Sequence, residues 1–414
     1  QSLAVERHEP HPSMSPDERR LRNRLRARGR QLGDRRDRIR GDQEIDRLTH
    51  EVAYEQWHRM LFARFLAENG VLVEPRSGVS ITIEECEELA RERGVDPHAL
   101  AAQFAQEILP GVFRVGDPVL DVVLAPETRQ ALQRLLDELP SVVFTADDSL
   151  GWTYQFWQTE SKEAVNASGV KIGGDELPAV TQLFTEPYMV EFLLHNTLGA
   201  WWCTRNGVQG APNSAGVPAS QTPVPMEYLR WRDDGRPAGG TFDGWPDATR
   251  DVRVLDPCCG SGHFLVTAFH LLVPLRMRDE GLSVHAACDA VLRDNLFGME
   301  LDPRCTQIAA FALALAAWTY PDADGAPIGH RELPTLNVAC SGVNTSGSRE
   351  EWLALANGDE RLRNGIDDLY TLFSKASELG SLIDPGSGEG DLMTAQFRDL
   401  EPLLDQAVRA WGRR

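Results

Sequence analysis

The sequence lacks the long apolar runs that membrane-spanning and secreted proteins carry. In 414 residues the longest strongly apolar run is Ile308–Trp318, with 11 residues, whereas a membrane span needs about 20. The first residues, QSLAVERHEPHPSMSPDERR, contain no apolar stretch resembling a signal peptide. We therefore expect a soluble, cytoplasmic protein that does not contact a membrane.

Paired cysteine motifs are also missing. The chain has seven cysteines, an odd number spread from Cys86 to Cys340, and no CxxC. This distribution does not fit a disulfide framework and suits reduced thiols. The adjacent Cys258 and Cys259 have poor geometry for ligating one zinc ion, and they make a poor redox pair. We predict no metal site and interpret both side chains as small residues packed in a turn.

The usual phosphate-binding signatures are absent as well. The P-loop pattern GxxxxGK followed by Ser or Thr does not occur, and only Gly260 and Gly262 remain of a GxGxxG pattern. These absences argue against a P-loop nucleotide hydrolase and against a standard dinucleotide fingerprint.

Positive charge is scarce except in one segment. The net charge is −20, yet residues 17–41 hold 11 arginines and four acids, a local charge of +7. A basic arm on an acidic body can contact the phosphate backbone of a nucleic acid. The alternative is a solvated helix on which acids pair with arginines. The sequence leaves both interpretations open.

The composition, 42% hydrophobic and 25% charged, is that of a globular protein with room for two or three domains. Helical patterns dominate the first third; Thr82 and Glu85, for example, form the spacing of a capping box. We predict a disordered tail over 1–16, a mostly helical N-terminal domain with the basic arm over 17–140, a connector over 141–180, and a core over 181–414 that carries a loop insertion over 205–250.

Strands alternate with helices after residue 250. The strands are VRVL, LFGME and LNVAC, and the helices between them include one of about 18 residues starting near Ser261 and one over 303–318. This alternation predicts an α/β fold with a parallel, doubly wound sheet. In such sheets, ligands bind beyond the carboxyl ends of the strands.

The stretch LDPCCGSGHF, residues 255–264, lies at such a strand end. Its glycines let a ligand approach the backbone, and the following helix presents free N–H groups. Asp256 at the strand end suits a cationic or amino-bearing ligand better than a pyrophosphate. Glu300 ends the next strand, where an acid can accept hydrogen bonds from ribose hydroxyls. Together these residues indicate a nucleoside ligand.

These residues resemble a known family. LDPCCGSGHFL is similar to motif I, DPxxGSGxF, of adenine-specific DNA methyltransferases that use S-adenosylmethionine (SAM), and FGMELDP is similar to their motif II. QLFTEPYMVEFLLHNTLG resembles the segment that precedes motif I in these enzymes. The stretch from LGWTYQFWQTESKEAVNA onward further resembles the PglX-type methyltransferases of BREX-like phage-defence systems.

The resemblance implies a Rossmann-like SAM-binding core, apparently incomplete, with SAM as the cofactor. By this likeness Asp256, Pro257, Gly260 and Gly262 form the SAM loop. Glu300 holds the ribose and Asp302 orients the adenosine end. Three residues close the methionine end of the cofactor, namely Phe184, Thr185 and Pro187.

One family element is missing. The catalytic tetrapeptide, Asp, Asn or Ser followed by Pro-Pro and an aromatic residue (NPPY type), holds the adenine amino group and stacks on the flipped base. This sequence contains no Pro-Pro, so its catalytic residues are unknown. We expect the catalytic segment and target recognition on a C-terminal continuation or a separate chain, and no methyl transfer by this chain alone.

Three functional interpretations follow. The first is the SAM-binding portion of a site-specific adenine methyltransferase that acts on double-stranded DNA with other defence-system proteins. The second is a non-catalytic SAM-binding scaffold or sensor subunit. The third is an RNA or protein methyltransferase that shares the same SAM loop.

Overall fold

The computed structural model describes residues 3–37, 39–114, 116–146, 149–169, 171–173, 180, 185–217, 220–239, 244–341, 349–379, 382–387, 395–400 and 402–404. The chain divides into two compact units. The first unit comprises Gln1–Ser149 and Trp318–Glu332, and the second comprises Leu150–Ala317 and Leu333–Arg414.

The first unit is built mainly of helices. They are α1 Pro16–Gln31, α2 Asp46–Glu68, α3 Ile83–Arg93, α4 Pro97–Ile108, α5 Pro126–Asp137 and α6 Val142–Thr145. A short antiparallel pair, β1 Val73–Glu74 and β2 Val79–Ser80, follows α2. The predicted capping box is confirmed, because the Thr82 hydroxyl accepts from Glu85 N while the Glu85 side chain bonds back to Thr82 N.

The arginines of α1 hold the N-terminal residues in place. Arg22 donates to the carbonyl oxygens of Ala4 (3.2 Å) and His8 (3.1 Å). Arg26 donates to those of Val5 (2.6 Å) and Gly41 (2.8 Å). Both guanidinium groups are buried. These charged donors satisfy backbone carbonyls that would otherwise require water. The disordered tail over 1–16 stays a prediction.

The second unit contains three parallel strands: β3 Val254–Asp256, β4 Leu296–Glu300 and β5 Val338–Cys340, in the order β3-β4-β5. Helix α7, Ser149–Trp157, starts at the last residue of the first unit. The helices that follow it are α8 Thr159–Ser168, α9 Pro187–Leu194, α10 Ala200–Arg205, α11 His263–Glu280, α12 Val284–Ala290, α13 Pro303–Trp318, α14 Arg349–Ala354, α15 Glu360–Phe373 and α16 Ala376–Leu379. Single π-helical turns join α9 to α10 and α12 to β4. The predicted α/β alternation is thus confirmed as a mixed fold with a parallel sheet.

Within the described residues, no helix is both long and apolar enough to cross a membrane. The domain boundaries given above stay predictions. The region predicted as a connector contains α6, α7 and α8.

Candidate cofactor site

The candidate site lies where β3 and β4 end at the same edge of the sheet. Asp256 is the last residue of β3 and pairs with Gly298 in β4, while Glu300 is the last residue of β4 and pairs with Cys340. The turn after β3 is hydrogen-bonded to the end of β4: Gly260 N donates to Glu300 Oε2 at 2.8 Å. The parallel register therefore brings together two motifs that are 40 residues apart in the chain.

Two glycines shape the turn that links β3 to α11. Gly260 and Gly262 have φ values of +52° and +87°, in the region that favours glycine. A Cβ on Gly262 would lie 2.9 Å from the Cα of Ala309 in α13. Glycine at this position is therefore required both by the backbone conformation and by the close approach of the neighbouring helix.

Glu300 accepts hydrogen bonds from three backbone amides. Its Oε1 accepts from Leu301 N (2.8 Å) and Asp302 N (3.0 Å), in addition to the bond from Gly260. A carboxylate offers about four lone-pair positions, so one position remains for a further donor. This geometry is compatible with a ribose hydroxyl at Glu300.

Burial shifts the protonation of both acids in the same direction. Desolvation raises the pKa of Asp256. The hydrogen bond from Cys258 N to Asp256 Oδ1, at 3.2 Å, partly opposes that shift. Desolvation likewise raises the pKa of Glu300, and its three amide bonds partly oppose that shift. Two partly desolvated carboxylates at one strand edge favour a ligand that carries positive charge.

Asp302 is held from two sides. Its Oδ1 accepts from Arg304 N at 2.9 Å, in the first turn of α13. Its Oδ2 accepts from the hydroxyl of Tyr154 in α7, and Gln158 Nε2 in turn donates to that hydroxyl. Sequence reasoning assigned no role to Tyr154 or Gln158. Gln158 directly follows α7, four residues after Tyr154, but only the fold shows that Tyr154 lies against Asp302.

The two adjacent cysteines have different environments. Cys258 is exposed, whereas Cys259 is buried, with its Sγ 3.2 Å from the position that a Cβ on Gly298 would take. Burial, with the nearby acids, raises the pKa of the Cys259 thiol, so this thiol stays protonated. In the described parts of the chain, no group of three His, Cys, Asp or Glu side chains is arranged to hold a metal ion.

The remaining expected site residues are placed as follows. Pro257 is exposed in the turn after β3. Thr185 precedes α9, and Pro187 is the first residue of that helix, which packs against α11. Phe184 lies outside the described residues. The roles assigned to these residues stay predictions.

Comparison with known proteins gives the same motifs a family context. The family described as MmeI, DNA-methyltransferase domain, matches residues 246–341, the segment from just before β3 to the end of β5. The adenine-specific methyltransferase BrxX of Escherichia coli is 27% identical over 307 residues, which is 66% of this chain and 24% of that protein. The chain is a relative of the adenine-specific PglX-type methyltransferases.

Two PglX proteins support this relationship. PglX of Lacticaseibacillus casei is 26% identical and covers 65% of this chain and 25% of its own length. PglX of Streptomyces coelicolor is 34% identical over 119 residues, or 28% of this chain and 8% of that protein. The chain spans about a quarter of the length of the first two relatives.

Proposed function

We propose that this chain forms the SAM-binding part of a site-specific DNA adenine methyltransferase. The observation that carries the proposal is the hydrogen bond from the glycine turn after β3 to Glu300 at the end of β4. It links the two sequence motifs, and a second acid, Asp256, lies at the same sheet edge. A Rossmann-like core is the corresponding fold proposal.

The chemistry of these residues fits SAM. The cofactor carries an ammonium and a sulfonium group, which the desolvated carboxylates favour, and a ribose whose hydroxyls can donate to Glu300. The positive-φ glycines leave the backbone open to a bound molecule. When bound, SAM supplies the methyl group; the residues of this chain bind and orient it.

Methyl transfer requires a further part of the active site. An adenine acceptor must be flipped out of the duplex and held by its amino group, and the NPPY-type motif that does so in the family is absent here. Orientation of the two reactants can supply about 7–11 kcal/mol of a barrier. We propose that this chain transfers a methyl group to double-stranded DNA only when a segment carrying that motif is supplied, within a phage-defence system.

The test measures binding and transfer separately. Calorimetry of the chain with SAM and with its demethylated product is expected to show binding at one site. Incubation with labelled SAM and duplex DNA is expected to give no methyladenine for the chain alone and methyladenine once the catalytic segment is added. SAM binding without methyl transfer, both for the chain alone and after the catalytic segment is added, would favour the non-catalytic scaffold or sensor. The absence of SAM binding would exclude the methyltransferase part and the SAM-binding scaffold or sensor alike.

A further inference from the structure

A buried chain of hydrogen bonds connects α7 to the glycine turn. It runs from Gln158 to the hydroxyl of Tyr154, from that hydroxyl to Asp302, and from the Asp302 amide to Glu300. The last bond runs from Gly260 N to Glu300. The Tyr154, Gln158, Asp302 and Glu300 side chains are all buried, at 8% exposure or less.

Burial makes this network sensitive to the loss of a single member. A buried carboxylate that loses a donor keeps the cost of desolvation without the compensating bond, so it shifts position or takes up a proton. Asp302 follows β4 by two residues and its amide is one of the three that fix Glu300. A change at the Asp302 carboxylate therefore alters the orientation of Glu300.

We propose that Tyr154 is a positioning residue of the cofactor site, which fixes Glu300 and the glycine turn by holding Asp302 from α7. The inference rests on the proposed SAM-binding function. In this arrangement α7 does not touch the cofactor. It sets the geometry of the ribose-binding acid, as an outer hydrogen-bond partner does for a ligating side chain.

The test is a double-mutant cycle on SAM affinity, measured by calorimetry on the full 414-residue chain. Tyr154→Phe removes only the hydroxyl and is expected to weaken SAM binding about three- to tenfold. In a Glu300→Ala background the same substitution is expected to have no further effect, because the group through which it acts is gone. A purely structural role would lower the melting temperature and leave the affinity unchanged.

Tyr54→Phe is the matched control. Tyr54 is a fully buried tyrosine in α2 of the first unit, and its ring contacts Trp57 and His58. Its loss of a hydroxyl is expected to change the melting temperature and to leave SAM affinity at the wild-type value. Gln158→Ala provides a second variant, milder than Tyr154→Phe, and is expected to weaken SAM binding in the same direction by a smaller factor.

The outcomes separate this inference from the proposed function. If the unmodified chain does not bind SAM, both fail. If it binds SAM and Tyr154→Phe binds equally well, only the positioning role fails. An equal loss of affinity in the Glu300→Ala background would also overturn it, because Tyr154 would then act by another route. Should Tyr154→Phe not fold, wild-type affinity of Gln158→Ala would count against the inference.

Discussion

At the residue scale, Glu300 has one role that the fold shows and one that we propose. Its carboxylate fixes the glycine turn through Gly260 and the start of the next loop through Leu301 and Asp302. The same group is the candidate acceptor for the ribose. Substitution therefore tests binding and stability at once, and a control has to separate the two.

Glu300→Ala is expected to weaken SAM binding about 10- to 150-fold, because hydrogen bonds to a charged acceptor are lost. Calorimetry measures the affinity, and thermal unfolding measures the stability. Glu51→Ala is the matched control, since Glu51 is a buried acid paired with Arg28 and Arg114 in the first unit. Both variants should unfold at lower temperature, but only Glu300→Ala should bind SAM more weakly; equal SAM affinity in the two would remove Glu300 from the site.

The raised pKa values of Asp256 and Glu300 predict a pH dependence. As pH falls through these raised pKa values, both acids are neutralised and lose their attraction for the cationic cofactor, so SAM affinity should decrease. The sign for folding is opposite. Burial disfavours the charged forms of both acids, and protonation removes that cost. The contribution of these two acids to the free energy of unfolding therefore increases as the pH falls.

Calorimetry over a series of pH values from neutral to acidic checks this prediction. The Glu300→Ala variant serves as the control and should show a shallower dependence of affinity on pH. An affinity that is independent of pH in the wild type would mean that neither acid senses the charge of the ligand.

At the scale of elements, α1 bears on whether the arginine-rich segment over 17–41 is free to contact a nucleic acid. Its arginines include exposed residues, the half-buried Arg28, and a buried pair, Arg22 and Arg26. The buried pair donates hydrogen bonds to carbonyl oxygens of the N-terminal residues. Desolvation lowers the pKa of both buried guanidinium groups, yet they remain charged at neutral pH. Part of the basic arm is therefore internal structure and is not available to a partner.

Arg26→Gln is expected to lower the free energy of unfolding by about 1–3 kcal/mol, because the carbonyl oxygens of Val5 and Gly41 lose their donors in a buried position. Denaturant titration measures the loss. Arg20→Gln is the control, since Arg20 forms an exposed ion pair with Asp17, of a kind that contributes about 0–1 kcal/mol. Equal losses of unfolding free energy for the two variants would contradict a stabilising role for the Arg26 hydrogen bonds.

For the whole molecule, the question is whether the remaining positive charge contacts DNA. The net charge of −20 opposes binding in general, so contact requires a local basic surface. Arg35, Arg36 and Arg40, in the loop after α1, are exposed. We consider these three the best candidates for phosphate contacts, because Arg22 and Arg26 are buried. Exposed arginines of α1 are paired with acids, Arg20 with Asp17 and Arg24 with Asp121.

Replacing Arg35, Arg36 and Arg40 together by Gln should weaken DNA binding equally across sequences and reduce its dependence on salt, since each phosphate contact contributes about 0.9 to the slope. Fluorescence anisotropy at several salt concentrations measures both quantities. A control with the same change in charge replaces Arg236, Arg250 and Arg293, which are exposed in the second unit. Equal effects of the two triple variants would show a general charge effect and no specific arm.

The sequence by itself determined the elements around the site. Strand β4 and helix α13 have the predicted bounds, because apolar residues in a continuous run and a proline at the first helical position are local signals. The motifs at Asp256 and Glu300 were likewise visible, since each follows directly from a strand end and the residues after it. The family match over residues 246–341 includes both stretches.

Only the tertiary structure decided which distant residues meet. The parallel register placed Glu300 against Gly260, packing of α13 required glycine at 262, and burial of α7 brought Tyr154 to Asp302. None of these contacts has a periodic or local signature, because each depends on how separate elements pack. The same reason explains the basic arm: the charge was evident in the sequence, but burial by the folded chain decided which arginines remain exposed.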